Sequence, residues 1–62
     1  MNSTAIRRVE YDPKTSVMQI WFVQGGHSYD FCGVPQSVYD ELITASSAGT
    51  YYDRYIRDRY QC

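Results

Sequence analysis

Ser16-Val17-Met18-Gln19-Ile20-Trp21-Phe22-Val23 is the stretch whose reading decides the fold. It is rich in β-branched and aromatic residues, which suit a pleated, half-buried surface, so it reads as a strand. Alternation sends Met18, Ile20 and Phe22 to one face and Val17, Gln19, Trp21 and Val23 to the other. Turn signals bound it on both sides. Asp12-Pro13-Lys14-Thr15 precedes it: Pro13 presets its own φ, and Asp12 can accept from the backbone ahead of it. Gln24-Gly25-Gly26-His27 follows, where glycines allow positive φ. Residues 5–11 and 28–33 read as the flanking strands. Three strands joined by two short turns make an antiparallel meander with residues 16–23 in the middle.

The remainder reads as helical. Pro35 is expected in the first helical position, where its missing N–H costs nothing. Val38, Leu42 and Ala45 recur at helical spacing, with Ile43 beside them. Asp40 and Glu41 are expected near the positive helix N-terminus. Residues 44–49 are a break of small residues. A second helix follows, capped by Ser47 or by Thr50; Thr50 with Asp53 resembles a capping box. The expectation is one α+β domain over residues 1–62, β-β-β-α-α, with both helices on one sheet face. Its expected core is Met18, Ile20 and Phe22 with Val9, Tyr11, Tyr29 and Phe31, covered by Val38, Leu42, Tyr52 and Ile56. The other face shows Val17, Gln19, Trp21 and Val23, flanked by Arg8, Glu10, Asp30 and Cys32. Trp21 is expected there as an exposed indole, and exposed apolar patches mark contact surfaces.

Size and charge limit what this domain can do. Sixty-two residues leave no room for a separate catalytic domain, and 44% hydrophobic content supports a core. A net charge of −1 argues against sequence-independent binding to a long polyanion. The N-terminal residues do not form a signal peptide, and the apolar run near Val17 is too short to span a bilayer. The expected compartment is cytoplasmic, with no membrane partner. Two cysteines do not make a disulfide framework. Cys32 and Cys62 are therefore expected as free thiols, with Cys62 open to an intermolecular bridge on air oxidation.

Residues 49–60 hold four of the seven tyrosines and three of the six basic residues. Rings stack on bases and guanidinium groups grip phosphate, so Arg54, Arg57 and Arg59 with Tyr51 or Tyr55 are candidate ligand-binding residues. At 100° per residue, Tyr51, Tyr52, Tyr55, Ile56 and Tyr60 spread over one half of the wheel. Asp53–Arg57 and Arg54–Asp58 are i,i+4 pairs that partly neutralise two arginines. Arg59 lacks such a partner. If the helix continues it falls among the tyrosines; if the helix frays it is free for a phosphate or carboxylate.

Several fragments, taken in order, resemble the KTSC domain family. They are Tyr11-Asp12-Pro13, Met18-x-Ile20-x-Phe22, Gly26, Tyr29-x-Phe31, Gly33-Val34-Pro35 and Tyr51-x-x-Arg54-x-Ile56-Arg57-x-Arg59-Tyr60. The resemblance covers nearly the whole chain. It implies a small domain found at the C-terminus of some lysyl-tRNA synthetases and as free-standing bacterial proteins, with no established activity. RNA binding is what the synthetase linkage suggests. Small free-standing proteins of this kind also occur in phages and mobile elements, which suggests action on a host protein. The chain departs from the family pattern at Phe31, where the family has a second tyrosine. It departs also at Thr50, often basic, at Asp53, usually neutral, and at Asp58, often glycine.

No residues combine into a catalytic set. His27 stands in a glycine turn, and alternation puts Asp30 and Cys32 on the face opposite it. One histidine and two distant cysteines lack metal-ligand spacing. The expectation is a non-catalytic module without cofactor. Two functions compete: weak RNA binding through the terminal arginines and tyrosines, and protein interaction or homodimerisation through Trp21, Val17, Val23 and Arg8.

Overall fold

A computed structural model describes residues 5–62. The expected α+β order is found: β1 (Ile6–Asp12), β2 (Val17–Phe22) and β3 (Ser28–Phe31), then α1 (Gln36–Thr44) and α2 (Ala48–Tyr51), which runs directly into a π-helical turn, Tyr52–Ile56. The strands form one antiparallel sheet in the order β1-β2-β3. Asp12 shapes the first turn as expected, its carboxylate accepting from the Lys14 N–H at 2.9 Å. Among the described residues, no helix is long and apolar enough to cross a membrane.

The core lies between the sheet and the helical segments. Ile6, Met18, Ile20, Phe31, Val34, Leu42, Ala48 and Ile56 are buried. Phe22, Val9, Tyr11, Val38 and Tyr52 pack around them, half-buried. Ile6 is inside for a reason alternation conceals. Val9 and Tyr11 face the core, so strict alternation would turn Arg7 inward and Ile6 outward. The register shifts between Ile6 and Arg8, where Ile6 pairs with Phe22 and Arg8 with Trp21. This bulge absorbs one residue and reverses the phase of the strand's start. Tyr29 corrects the expectation in the other direction. It is on the core face opposite Ile20, yet 45% exposed. It lies at the sheet edge with its ring 5.5 Å from Phe22 and 5.0 Å from His27.

The helix boundaries shift slightly. Pro35 is the N-cap of α1 rather than its first helical residue. The first turn of α1 holds no acidic residue. Ser47 caps α2, its hydroxyl accepting from the Thr50 N–H at 3.3 Å, so Thr50 is not the cap and no Thr50–Asp53 box forms. Tyr11 ties the sheet to the loop before α1 by donating its hydroxyl to the Val34 carbonyl at 2.7 Å, and its ring stacks on Tyr39 at 5.0 Å.

The cysteines overturn the free-thiol expectation, because Cys32 and Cys62 are joined in an intramolecular disulfide. After the π-helical turn the chain doubles back along β3. Phe31 and Gln61 form an antiparallel bridge, and the Cys32 N–H donates to the Tyr60 carbonyl at 2.9 Å. That return brings together two sulfurs 30 residues apart in sequence. No spacing rule reveals it, because the tail pairs with the strand only once the π-helical turn has aimed it there.

Candidate functional site

Two surfaces hold the expected site residues. The first is the C-terminal helical segment. Its π-helical turn is closed by the Arg57 N–H donating to the Tyr52 carbonyl at 2.9 Å, five residues back. Such wide turns change the angular phase of everything they contain. Tyr52 turns inward, meeting Phe22 edge-on at 5.1 Å and Phe31 at 5.7 Å. Ile56 is wholly buried. Tyr55 is 51% exposed, its ring 4.7 Å from Tyr51. Tyr51 donates its hydroxyl to Glu41 Oε2 at 3.1 Å. Partial burial, then that carboxylate, push the Tyr51 phenol above its ordinary pKa. Burial raises Tyr52 as well, against an opposing pull from Arg57.

The three arginines differ in their partners. Arg57 donates to Asp53 Oδ1 at 2.9 Å, the i,i+4 pair read from the sequence, and Asp53 raises its pKa further. The expected Arg54–Asp58 pair does not form: the helical segment ends at Ile56, and Asp58 instead accepts from Gln61 Nε2 at 3.4 Å. Arg54 lines a shallow groove of about 510 Å³ with Phe22, Gly49, Thr50, Tyr52 and Asp53. Arg59 lies beyond the helical segment and is exposed. Tyr60 is half-buried against the core, so it is not part of an exposed stack. Asp58 has φ +64°, in the left-handed region that favours glycine and that Asp tolerates better than most residues. The segment therefore offers Arg54 and Arg59 as exposed cations, with Arg57 held by Asp53.

The second surface is the outer sheet face. Register pairs Arg8 with Trp21, Glu10 with Gln19, Gln19 with Asp30 and Trp21 with Ser28. Trp21 is half-buried, not the exposed indole expected. The Arg8 guanidinium lies 5.4 Å above its ring centroid and is itself ion-paired with Glu10. Such a cation over indole is electrostatically favourable and shields the ring from water. Gln19 Nε2 donates to Asp30 Oδ1 at 3.3 Å. Val17 is half-buried beside a groove of about 450 Å³ lined by Glu10, Tyr11, Asp12, Thr15 and Gln19. Val23 is 56% exposed beyond the end of β2. The core cluster and the helical segments lie on the opposite face.

His27 is turned to its own loop. Its Nδ1 lies 2.9 Å from the Gly25 carbonyl and its ring meets Tyr29 edge-on. Cys32 is oxidised, so its sulfur is no free nucleophile.

A model of the KTSC domain matches residues 2–60, and the chain belongs to that family. Over 61 residues it is 31% identical to a protein of Tsukamurella paurometabola, spanning 98% of this chain and 90% of the relative. The crystal structure of a KTSC domain protein from Yersinia pestis superposes with a TM-score of 0.92 at 29% identity, covering 100% of this chain and 86% of that one.

Proposed function

We propose that this KTSC domain is a small non-catalytic module that engages a protein partner through its outer sheet face. One observation carries the reading: the core cluster and the helical segments occupy one face of the sheet, while Val17, Gln19 and Trp21 stand half-buried on the other, with Arg8 over the indole. This strip sets Trp21 and Val17 on either side of Gln19, among polar groups of both signs, Arg8, Glu10 and Asp30. Contact surfaces that associate reversibly share that anatomy. Large aromatic side chains also tend to carry the binding energy at their centres.

The runner-up is weak RNA binding. It draws on the exposed ring of Tyr55 and on Arg54 and Arg59, which form no ion pair among the described residues. Arg57 adds less, being ion-paired with Asp53.

An amide NMR titration separates the two. With short RNA oligonucleotides at low salt, we expect no saturable shifts at Arg54, Tyr55 or Arg59. With partner proteins captured on the immobilised domain, we expect shifts centred on Arg8, Gln19 and Trp21, and loss of capture by Trp21→Ala. Saturable RNA-induced shifts confined to the helical segment, together with undiminished capture by a folded Trp21→Ala variant, would overturn the proposal in favour of RNA.

A further inference from the structure

We infer that the Cys32–Cys62 bridge is a reversible thiol latch that straps the C-terminal tail across the outer edge of β3. Three links hold the tail there: the disulfide, the Phe31–Gln61 bridge, and the hydrogen bond from the Cys32 N–H to the Tyr60 carbonyl. All three are made by Cys32 or its neighbour Phe31. The half-buried Tyr60 ring adds packing, but Arg57, Asp58, Arg59, Gln61 and Cys62 are all exposed. A segment with so few buried contacts opens locally at low cost once its covalent tie is cut. The rest of the molecule does not hang on that tie. Leu42, Ile20, Met18 and Val34 are fully buried. Tyr11 and the Val34 N–H, which donates to the Ser16 carbonyl at 2.9 Å, bind the sheet to the loop before α1 on the far side of β2.

The latch is accessible to exchange. Cys62 is exposed and Cys32 half-buried. A dithiol reductant attacks the Cys62 sulfur as its thiolate, and the S–S bond breaks with Cys32 leaving as thiolate. The second thiol of the reductant then displaces Cys62 and closes the reductant's own disulfide. Two electrons and two protons pass from the dithiol to the protein, which ends with two thiols. Gln61 and Cys62 lie beyond residues 2–60, the part matched by the family model, so the latch is built partly from residues outside the matched domain. Opening frees the β3 edge at Phe31 and takes Gln61 out of the wall of the groove of about 310 Å³ that it lines with Tyr29, Tyr52 and Arg57.

Amide hydrogen exchange on the full chain tests this. On reduction with a dithiol, the Cys32 amide is expected to exchange about tenfold faster or more, while the Val34 amide changes by less than about twofold. Reoxidation with glutathione disulfide restores the first pattern, and Cys62→Ser reproduces the open pattern without reductant. Unchanged Cys32 protection would show a tail docked regardless of the bridge. Parallel loss of protection at Val34, in either the reduced protein or Cys62→Ser, would make the bridge a fold-wide staple. Two thiols that stay free in an oxidising glutathione mixture would remove the bridge altogether. Each of these three outcomes overturns the latch.

Discussion

Ile56→Ala should destabilise the domain severely, whereas Tyr55→Ala, one residue away, should hardly matter. Ile56 is fully buried at the close of the π-helical turn, among core residues that include Leu42, Ile20 and Phe31. Truncating a buried isoleucine to alanine removes its transfer free energy and leaves a cavity, typically costing about 2–5 kcal/mol. At about 0.05–0.15 kcal/mol per residue, a chain of 62 residues has only about 3–9 kcal/mol in total. A loss near 3 kcal/mol would therefore remove a third or more of the stability. It should lower Tm by about 12–24 °C, at about 4–8 °C per kcal/mol for a domain of this size. Tyr55 is 51% exposed, with its ring against Tyr51, so Tyr55→Ala should cost no more than about 1 kcal/mol. Urea unfolding followed by Trp21 fluorescence measures both, with the disulfide left intact. A cost below about 1 kcal/mol for Ile56→Ala, or comparable costs for the two variants, would refute the inward phase assigned to Ile56.

Three further outcomes are expected. Tyr11→Phe deletes the hydroxyl that satisfies the Val34 carbonyl and should cost about 1 kcal/mol by urea unfolding; a neutral result would mean water replaces that bond freely. Burial raises the Tyr51 and Tyr52 phenols above their ordinary pKa of 10.0, so folding favours their neutral forms. The stability they supply is complete below pH 10 and is lost as pH rises from there through the folded values. Stability measured from pH 8 upward should fall above pH 10, more gently in Tyr52→Phe, and identical slopes would contradict the assignment. Asp58→Val places a β-branched residue at φ +64° and should lower Tm, whereas Asp58→Gly should leave it unchanged or raised; equal effects would show that the tail adjusts its backbone.

The middle strand was legible because its period of two coincides with real burial at Met18 and Ile20. The meander followed from two turns whose chemistry is local, and the Lys14 amide on Asp12 bears that out. What escaped local reading was phase. A one-residue bulge at Arg7 put Ile6 inside, and a five-residue hydrogen-bonded turn replaced the 100° wheel in the C-terminal segment. Neither irregularity has a residue signature, since both are settled by what packs on either side. Val34 and Ala48 went unread because they lie in or beside loops, where burial has no period to reveal it. On the candidate surfaces, the Asp53–Arg57 pair was legible from spacing and formed. Arg8 over Trp21 needed the register between β1 and β2, and the disulfide needed the tail's return path.

The wide turn at Tyr52–Ile56 also makes this the one place in the segment where length can be given up. A π-helical turn holds one residue more than the α-helix would need between the same two ends. Removing one residue inside it would let ordinary α-helix join those ends, changing the faces of the residues within the turn but leaving the tail's exit in place. Gln61 would still reach Phe31, and the two sulfurs would still meet. Natural variants that shorten this turn by one residue should therefore be free to keep the cysteine pair, while a change of length after Ile56 should cost it.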